Sequence, residues 1–198
     1  ESGWPNSLLT MKFRFYHNDE TNITPHIYEP IWTGTIGFNP EYDQNRPPVV
    51  FNIPDDAVKV EFVSYITGHG WGCDGYNCAE FCNSKHQFSV NGGTYEFEIG
   101  YPEAADNNYC MELETIGQGV VPNQYGTWGY GRAGWCPGQD VHPFITDITN
   151  YVSIGDENVI EYSACRDSWN GCVTPPVCPD NGCYCPEIAM SSYIIVWR

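Results

Sequence analysis

Basic side chains are scarce in this chain: 8 Lys and Arg stand against 25 Asp and Glu, a net charge of −17. Phosphate recognition needs clustered cations, so a nucleic-acid partner is excluded at this level. Docking on an anionic membrane surface is excluded for the same reason. Long apolar runs are also missing. Spanning a bilayer takes about 18–20 apolar residues, and the best stretch, residues 192–197, is strand-sized. Membrane insertion is therefore not expected. There is no repeat of fixed period, no linker, and no helix-period segment longer than about two turns. An initiating Met, a basic leader and an apolar leader segment are absent from a chain that starts at Glu1. This reads as a processed, secreted protein, extracellular or at the cell surface. Disorder is excluded by 41% apolar and 15% aromatic residues.

What is present is cysteine and a period of two. Ten cysteines in 198 residues fit an oxidising compartment and a disulfide framework. They do not form two Cys-x-x-Cys knuckles, which disfavours a cytosolic zinc protein. Apolar and polar residues alternate, or β-branched and aromatic residues cluster, over 11–16, 31–38, 49–53, 58–66, 87–90, 94–99, 144–152, 158–162 and 192–197. Asn91-Gly92-Gly93 marks a hairpin, because these residues tolerate positive φ. Many short strands with Gly and Pro turns predict an all-β, antiparallel jelly-roll β-sandwich. One such domain is expected over residues 9–198, after a tail over 1–8. Residues 100–138 and 165–185 read as long loops, the second holding five cysteines. Long ordered loops in a compact domain are functional or stapled. Asn22-Ile23-Thr24 is a glycosylation acceptor triplet.

Two motifs carry chemistry. Cys78-Ala79-Glu80-Phe81-Cys82 places a carboxylate inside a potential five-residue disulfide ring. A tight ring would fix where Glu80 points, which suits a general acid, a substrate hydrogen bond or a metal ligand. A ring that merely stabilises its loop, with Glu80 in solvent, fits the same spacing. Arg132-Ala133-Gly134-Trp135-Cys136-Pro137-Gly138 sets an Arg beside a Trp, tied by a Cys. That pairing suits a planar polar ligand or a sugar face. Its bland counterpart is a buried Trp against a disulfide with Arg132 reaching outward.

With these two motifs and His86 in the following strand, the chain resembles the second jelly-roll domain of the peptide:N-glycosidase F family. Members of that family are amidases that remove N-linked glycans from asparagine, and the fold is shared with copper type II monooxygenases. The resemblance spans about residues 9–197. It implies disulfides Cys78–Cys82 and Cys110–Cys136. It implies that Glu80 and Arg132 are site residues that touch the glycan core or the reaction centre, with Trp71 and Trp135 as further glycan contacts. It also implies an incomplete catalytic set, because the family's essential aspartate and second glutamate come from the other jelly roll, while this chain holds one domain's worth of strands. Catalysis by this chain alone is thus not expected, although a partner chain could restore the site.

Other readings remain open. His69 and His86 flank the ring and with Glu80 could bind copper or zinc. Asp55-Asp56, Asp106 and Asp180-Asn181-Gly182 offer oxygen ligands for calcium without forming a full ligand loop. Met190 lies in an apolar strand pattern and reads as core. The remaining Cys73, Cys165, Cys172, Cys178, Cys183 and Cys185 allow 15 pairings. If all six are bridged within the chain, Cys73 pairs with the 165–185 loop. Trp71, Tyr76, Tyr101, Tyr109, Tyr125, Trp128, Tyr130 and Trp169 fall in loops and suggest contact surfaces. The function expected is a secreted module that binds carbohydrate or glycoprotein, or self-assembles as a homo-oligomer or polymer in a fibre or coat. A glycoamidase half-site is the alternative, and a copper or zinc protein the second alternative.

Overall fold

The computed structural model describes residues 23–112, 126–179 and 182–198. The expected strand over 11–16, the 1–8 tail, the Asn22 side of the acceptor triplet, Tyr125 and the Asp180-Asn181 pair lie outside the described residues.

The described residues form nine strands: β1 (Pro25–Gly37), β2 (Val49–Asn52), β3 (Lys59–His69), β4 (Ser84–Val90), β5 (Tyr95–Gly100), β6 (Phe144–Asp147), β7 (Glu157–Ser168), β8 (Gly171–Val173) and β9 (Glu187–Trp197). They form two antiparallel sheets of order β1-β9-β3-β6 and β2-β7-β4-β5, with β8 hydrogen-bonded to the end of β7. Without the short β8, the order first-last-third-sixth facing second-seventh-fourth-fifth is the wrap of an eight-stranded jelly roll. The fold is an all-β antiparallel sandwich.

Alternation drives this arrangement. In β3, Val60, Phe62, Ser64 and Ile66 are buried, while Lys59, Glu61 and Tyr65 between them are not. In β9, Ile188, Met190, Ser192, Ile194 and Val196 repeat the pattern, and the two strands pair over their whole length. Met190 is core. Trp32 stands at the centre, with its ring 5.4–6.5 Å from those of Phe62, Phe88 and Tyr162. Its indole N–H donates to the Pro47 carbonyl at 2.9 Å, which satisfies the only polar atom of a large buried ring. Asn91, Gly92 and Gly93 all take positive φ (50°, 65°, 89°) and turn β4 into β5, whose registers meet at Val90 and Tyr95.

Three details depart from the sequence reading. Val58 is exposed and precedes β3. The strand over 144–152 stops at Asp147, because its carboxylate accepts from the Thr149 amide at 3.0 Å and hydroxyl at 2.6 Å. A side chain bonded to its own backbone two residues on competes with the ladder, and the chain enters a short 3-10 turn over Thr149–Tyr151. The 165–185 loop begins as a hairpin: β7 runs to Ser168 and pairs with β8, and the Cys165–Cys172 disulfide closes it.

Candidate functional site

One end of the sandwich gathers the C-terminal end of β3, the N-terminal ends of β4 and β9, and the C-terminal end of β7. The Cys78–Cys82 ring sits there. The Glu80 amide donates to Gly70 O at 3.0 Å, the Ala133 amide to Glu80 O at 2.9 Å, and the Gly68 amide to Ala133 O at 2.9 Å. Three segments distant in sequence are thus laced by backbone bonds. The approach is close enough to require glycine. A Cβ on Gly134, which has φ +81°, would run into the Ile66 carbonyl, and one on Gly70 (φ +77°) into the Cys185 carbonyl. A second disulfide, Cys110–Cys136, ties the Arg132 loop to the single-turn helix α1 (Tyr109–Glu112).

These loops bring together Glu80 and Arg132, which are 52 positions apart. Arg132 Nε donates to Glu80 Oε1 at 2.8 Å. Nη1 donates to Tyr130 O at 2.9 Å and Nη2 to Thr127 Oγ1 at 3.1 Å. All three guanidinium nitrogens are committed, and the residue is 1% exposed. The Arg132 Cζ lies 4.8 Å from the Trp135 ring centroid and 5.1 Å from that of Phe81. The bland sequence reading had Trp135 buried and Arg132 outward; the burial is the reverse. Trp135 is half-buried and donates its indole N–H to Gly68 O at 2.8 Å, because Arg132 has taken the interior place beside the carboxylate.

Glu80 keeps 14% of its side chain exposed. Burial pushes its carboxyl above the usual carboxylate range, and the Arg132 hydrogen bond and charge, with the Gly70 backbone N–H, pull it back only in part. Burial lowers the Arg132 guanidinium from its ordinary value against the pull of Glu80; it remains a cation at neutral pH. The product is a carboxylate anchored by Arg132 and still within reach of solvent.

Aromatic rings surround it. His69 lies 5.2 Å from Trp135, centroid to centroid, and its Nε2 is 2.8 Å from Thr67 Oγ1. Burial, then the Arg132 charge, hold the His69 ring below its usual pKa, so it is neutral. Trp71 packs on Tyr184 at 5.7 Å and edge-on to Phe81 at 6.3 Å. Sequence reasoning singled out neither Phe81 nor Tyr184. The signal for Phe81 was its place inside the Cys ring, and for Tyr184 its place between Cys183 and Cys185.

The structure separates the two histidines. His86 is fully buried in β4. Its Nδ1 is 2.6 Å from the Tyr162 hydroxyl and its Nε2 3.1 Å from Ser84 Oγ, so both ring nitrogens are hydrogen-bonded within the core. Among the described residues, Glu80, His69 and His86 do not come together as a ligand group; four cysteines do, Cys73, Cys178, Cys183 and Cys185. Asp56 pairs with Arg198 at 2.9 Å, and Asp106 accepts from the Asn108 amide. Of the loop aromatics, Tyr101 is core, donating its hydroxyl to Ile66 O at 2.8 Å. Trp169, at the tip of the β7–β8 hairpin, is fully exposed.

Residues 37–195 match the family described as Peptide-N-glycosidase F, C terminal, which covers β2 to β8, most of β9, the Glu80 ring and the Arg132 loop. The chain belongs to the peptide-N-glycosidase F C-terminal family. No curated protein sequence matches it. Among solved structures it is similar to PNGase F, a glycosylasparaginase from Flavobacterium meningosepticum, with 22% identity and a TM-score of 0.56 over 86% of this chain and 51% of that one. A peptide-N(4)-(N-acetyl-beta-D-glucosaminyl) asparagine amidase gives 20% identity and a TM-score of 0.51, again over 86% of this chain and 51% of that one. PNGF-II gives 15% identity and 0.52 over 80% of this chain and 26% of that one. These likenesses show the shared β-sandwich. The chain spans about half the length of the first two peptide-N-glycosidase F structures, so a domain of the C-terminal type is what the match identifies.

Proposed function

We propose that this peptide-N-glycosidase F C-terminal domain is an extracellular glycan-binding module, and that Glu80, Arg132, Trp71 and Trp135 carry the contact. The observation behind this reading is the partly exposed Glu80 carboxylate, held at 2.8 Å by a buried Arg132 whose guanidinium lies against the Phe81 and Trp135 rings. Sugars present hydroxyl donors around the ring edge and apolar C–H faces above and below. A fixed carboxylate oxygen accepts the former, and Trp and Tyr surfaces stack on the latter. Five disulfides hold the described loops, so little conformational entropy remains to be lost on binding. The extracellular placement rests on those disulfides; no described helix is long and apolar enough to cross a membrane. The test is calorimetric titration with an N-glycopeptide and its deglycosylated peptide. The glycopeptide binds, the bare peptide does not, and Trp71→Ala weakens binding at least tenfold.

Self-association is the companion proposal. It is supported by the outer face of the four-stranded sheet, where Tyr193 of β9 and Ile145 of β6 flank Val63 of β3 in one register row. Tyr28 packs on Tyr193 at 4.5 Å, and Tyr28 and Ile145 are each 59% exposed, while Val63 is covered at 3%. Exposed apolar side chains gathered on one sheet face mark an interaction surface. Sedimentation that stays monomeric at high concentration would remove it.

A glycoamidase half-site is the second functional reading, favoured by the raised Glu80 carboxyl. A carboxyl whose pKa is raised by burial is better suited to proton donation than a free one, but amide hydrolysis also needs a water activator that a second domain would supply. Glycan release from a denatured glycoprotein that disappears in Glu80→Gln would establish it, and no release would end it.

A further inference from the structure

Beside this site lies a cluster of another chemistry. The disulfides Cys73–Cys183 and Cys178–Cys185 run side by side. Cys178 Sγ is 3.4 Å from Cys73 Sγ and 3.6 Å from Cys183 Sγ, and the four sulfurs all lie within 4.8 Å of one another. Four thiolates bound tetrahedrally to zinc at about 2.3 Å stand about 3.8 Å apart. The unbonded sulfurs are therefore already near that spacing, and the bonded ones need to part by less than the width of an atom.

Access separates this cluster from the two bridges that hold Glu80 and Arg132, although Cys172 of the Cys165–Cys172 bridge is exposed as well. Cys73, Cys178 and Cys183 are half-buried and Cys185 is exposed. Cys78, Cys82, Cys110 and Cys136 are 0%, 6%, 0% and 5% exposed. Thiol–disulfide exchange requires a thiolate to reach a sulfur, so a dissolved reductant meets the paired cluster before the rings that hold Glu80 and Arg132.

We propose that under reducing conditions this cluster becomes a zinc site, with the thiolates of Cys73, Cys178, Cys183 and Cys185 as its ligands. Two molecules of a dithiol reductant each deliver two electrons and two protons to one disulfide and leave as their own cyclic disulfides. Four thiols result. Binding of Zn²⁺ displaces their four protons, because the metal stabilises the thiolate form, and the centre carries a net charge of −2. Zinc then holds the same two segments that the disulfides hold: the loop after β3, bearing Trp71, and the segment before β9, bearing Tyr184. Those segments are otherwise joined by the 3.1 Å bond from the Tyr184 amide to Trp71 O and the ring contact at 5.7 Å. The clasp thus has a disulfide form and a metal form.

The experiment uses the folded chain, brief treatment with dithiothreitol, desalting under argon, and Co²⁺ as the probe. Alkylation followed by peptide mass mapping is expected to find new thiols at Cys73, Cys178, Cys183 and Cys185 before any at Cys78, Cys82, Cys110 or Cys136. The protein is then expected to bind one Co²⁺ per chain, with thiolate charge-transfer bands and the intense d–d absorption of a tetrahedral site, and to lose them to an equivalent of Zn²⁺. Bound cobalt protects the four thiols from alkylation, a readout that needs no variant. Cys178→Ser with Cys185→Ser, which keeps the Cys73–Cys183 bridge, binds none, and Cys165→Ser with Cys172→Ser binds as before. First reduction at the Cys78–Cys82 or Cys110–Cys136 bridge, uptake that does not saturate at one equivalent, or undiminished uptake in the Cys178/Cys185 variant overturns the proposal.

Discussion

Two arginines are buried among the described residues, and they do different work. Arg46, 3% exposed, donates Nη1 to Thr33 O at 2.9 Å and Nη2 to Gly34 O at 2.7 Å, while its Nε is without a hydrogen-bond partner. It fastens the turn after the short 3-10 helix (Asp43–Asn45) to β1, and no carboxylate pairs with it among the described residues. Arg132, 1% exposed, uses every nitrogen and faces a carboxylate that reaches solvent. Burial alone therefore does not mark a functional cation. What distinguishes Arg132 is that it orients another ionisable group at the surface.

Substitution can break this comparison. Arg132→Met leaves the Glu80 charge half-buried and unpaired. Removing one partner of a buried pair costs about 3–5 kcal/mol, and the residual exposure of Glu80 places the loss near the lower end, about 3 kcal/mol, with glycan binding abolished. Arg46→Met removes two bonds to buried carbonyls and costs about 2 kcal/mol, with glycan affinity within twofold of the parent. Urea unfolding and calorimetry together check both. If the two variants lose affinity equally, the distinction between the arginines fails.

The histidines sharpen it through pH. Burial holds His86 down to about 3, far below its unfolded value of about 6.5. Between those limits the unfolded chain binds a proton that the native state refuses, so stability falls as pH drops through this window. The loss from His86 amounts to about 2 kcal/mol between pH 7 and pH 5. His86→Phe removes that slope from the unfolding profile, whatever it does to the absolute stability. His69, also lowered, contributes with the same sign. Glu80, raised by burial, contributes with the opposite sign, its native form taking up a proton more readily than the unfolded one. An unchanged slope in His86→Phe would show that the core does not hold this ring neutral.

Smaller effects belong to the exposed end. Glu80→Gln keeps an acceptor for Arg132 Nε but leaves a buried cation without its carboxylate, and costs about 2 kcal/mol of stability. Trp169→Ala changes stability by less than about 0.5 kcal/mol, since the ring touches solvent all round; a larger loss would mean that the hairpin tip packs against something.

Much of the fold was legible because alternation reports directly on burial. Residues 58–66 read as a strand, and Val60, Phe62 and Ile66 are indeed interior. Asn91-Gly92-Gly93 announced its hairpin through backbone tolerance alone. The β7–β8 hairpin was hidden because Cys165, Asp167, Ser168 and Trp169 do not alternate; only Asn170-Gly171 carried a turn signal. The end of β6 was hidden because it depends on the Asp147 side chain competing with the ladder. At the site, Glu80 and Arg132 were singled out separately, each from its own cysteine and glycine context. No local pattern states that two residues 52 positions apart share a hydrogen bond, and that link came only from resemblance. The partition of the histidines was not legible at all, because His69 ends one strand and His86 enters another, and only the packing of Tyr162 on the second decides which is core.

Glycopeptide titration of the parent chain, Glu80→Gln and Arg46→Met, with urea unfolding of each, puts the most weight on the Glu80 carboxylate. The expected result is measurable parent affinity, a loss of at least tenfold in Glu80→Gln while it remains folded, and no loss in Arg46→Met. Parental affinity in Glu80→Gln, or no binding by the parent chain, would contradict the assignment of this end of the sandwich to glycan recognition.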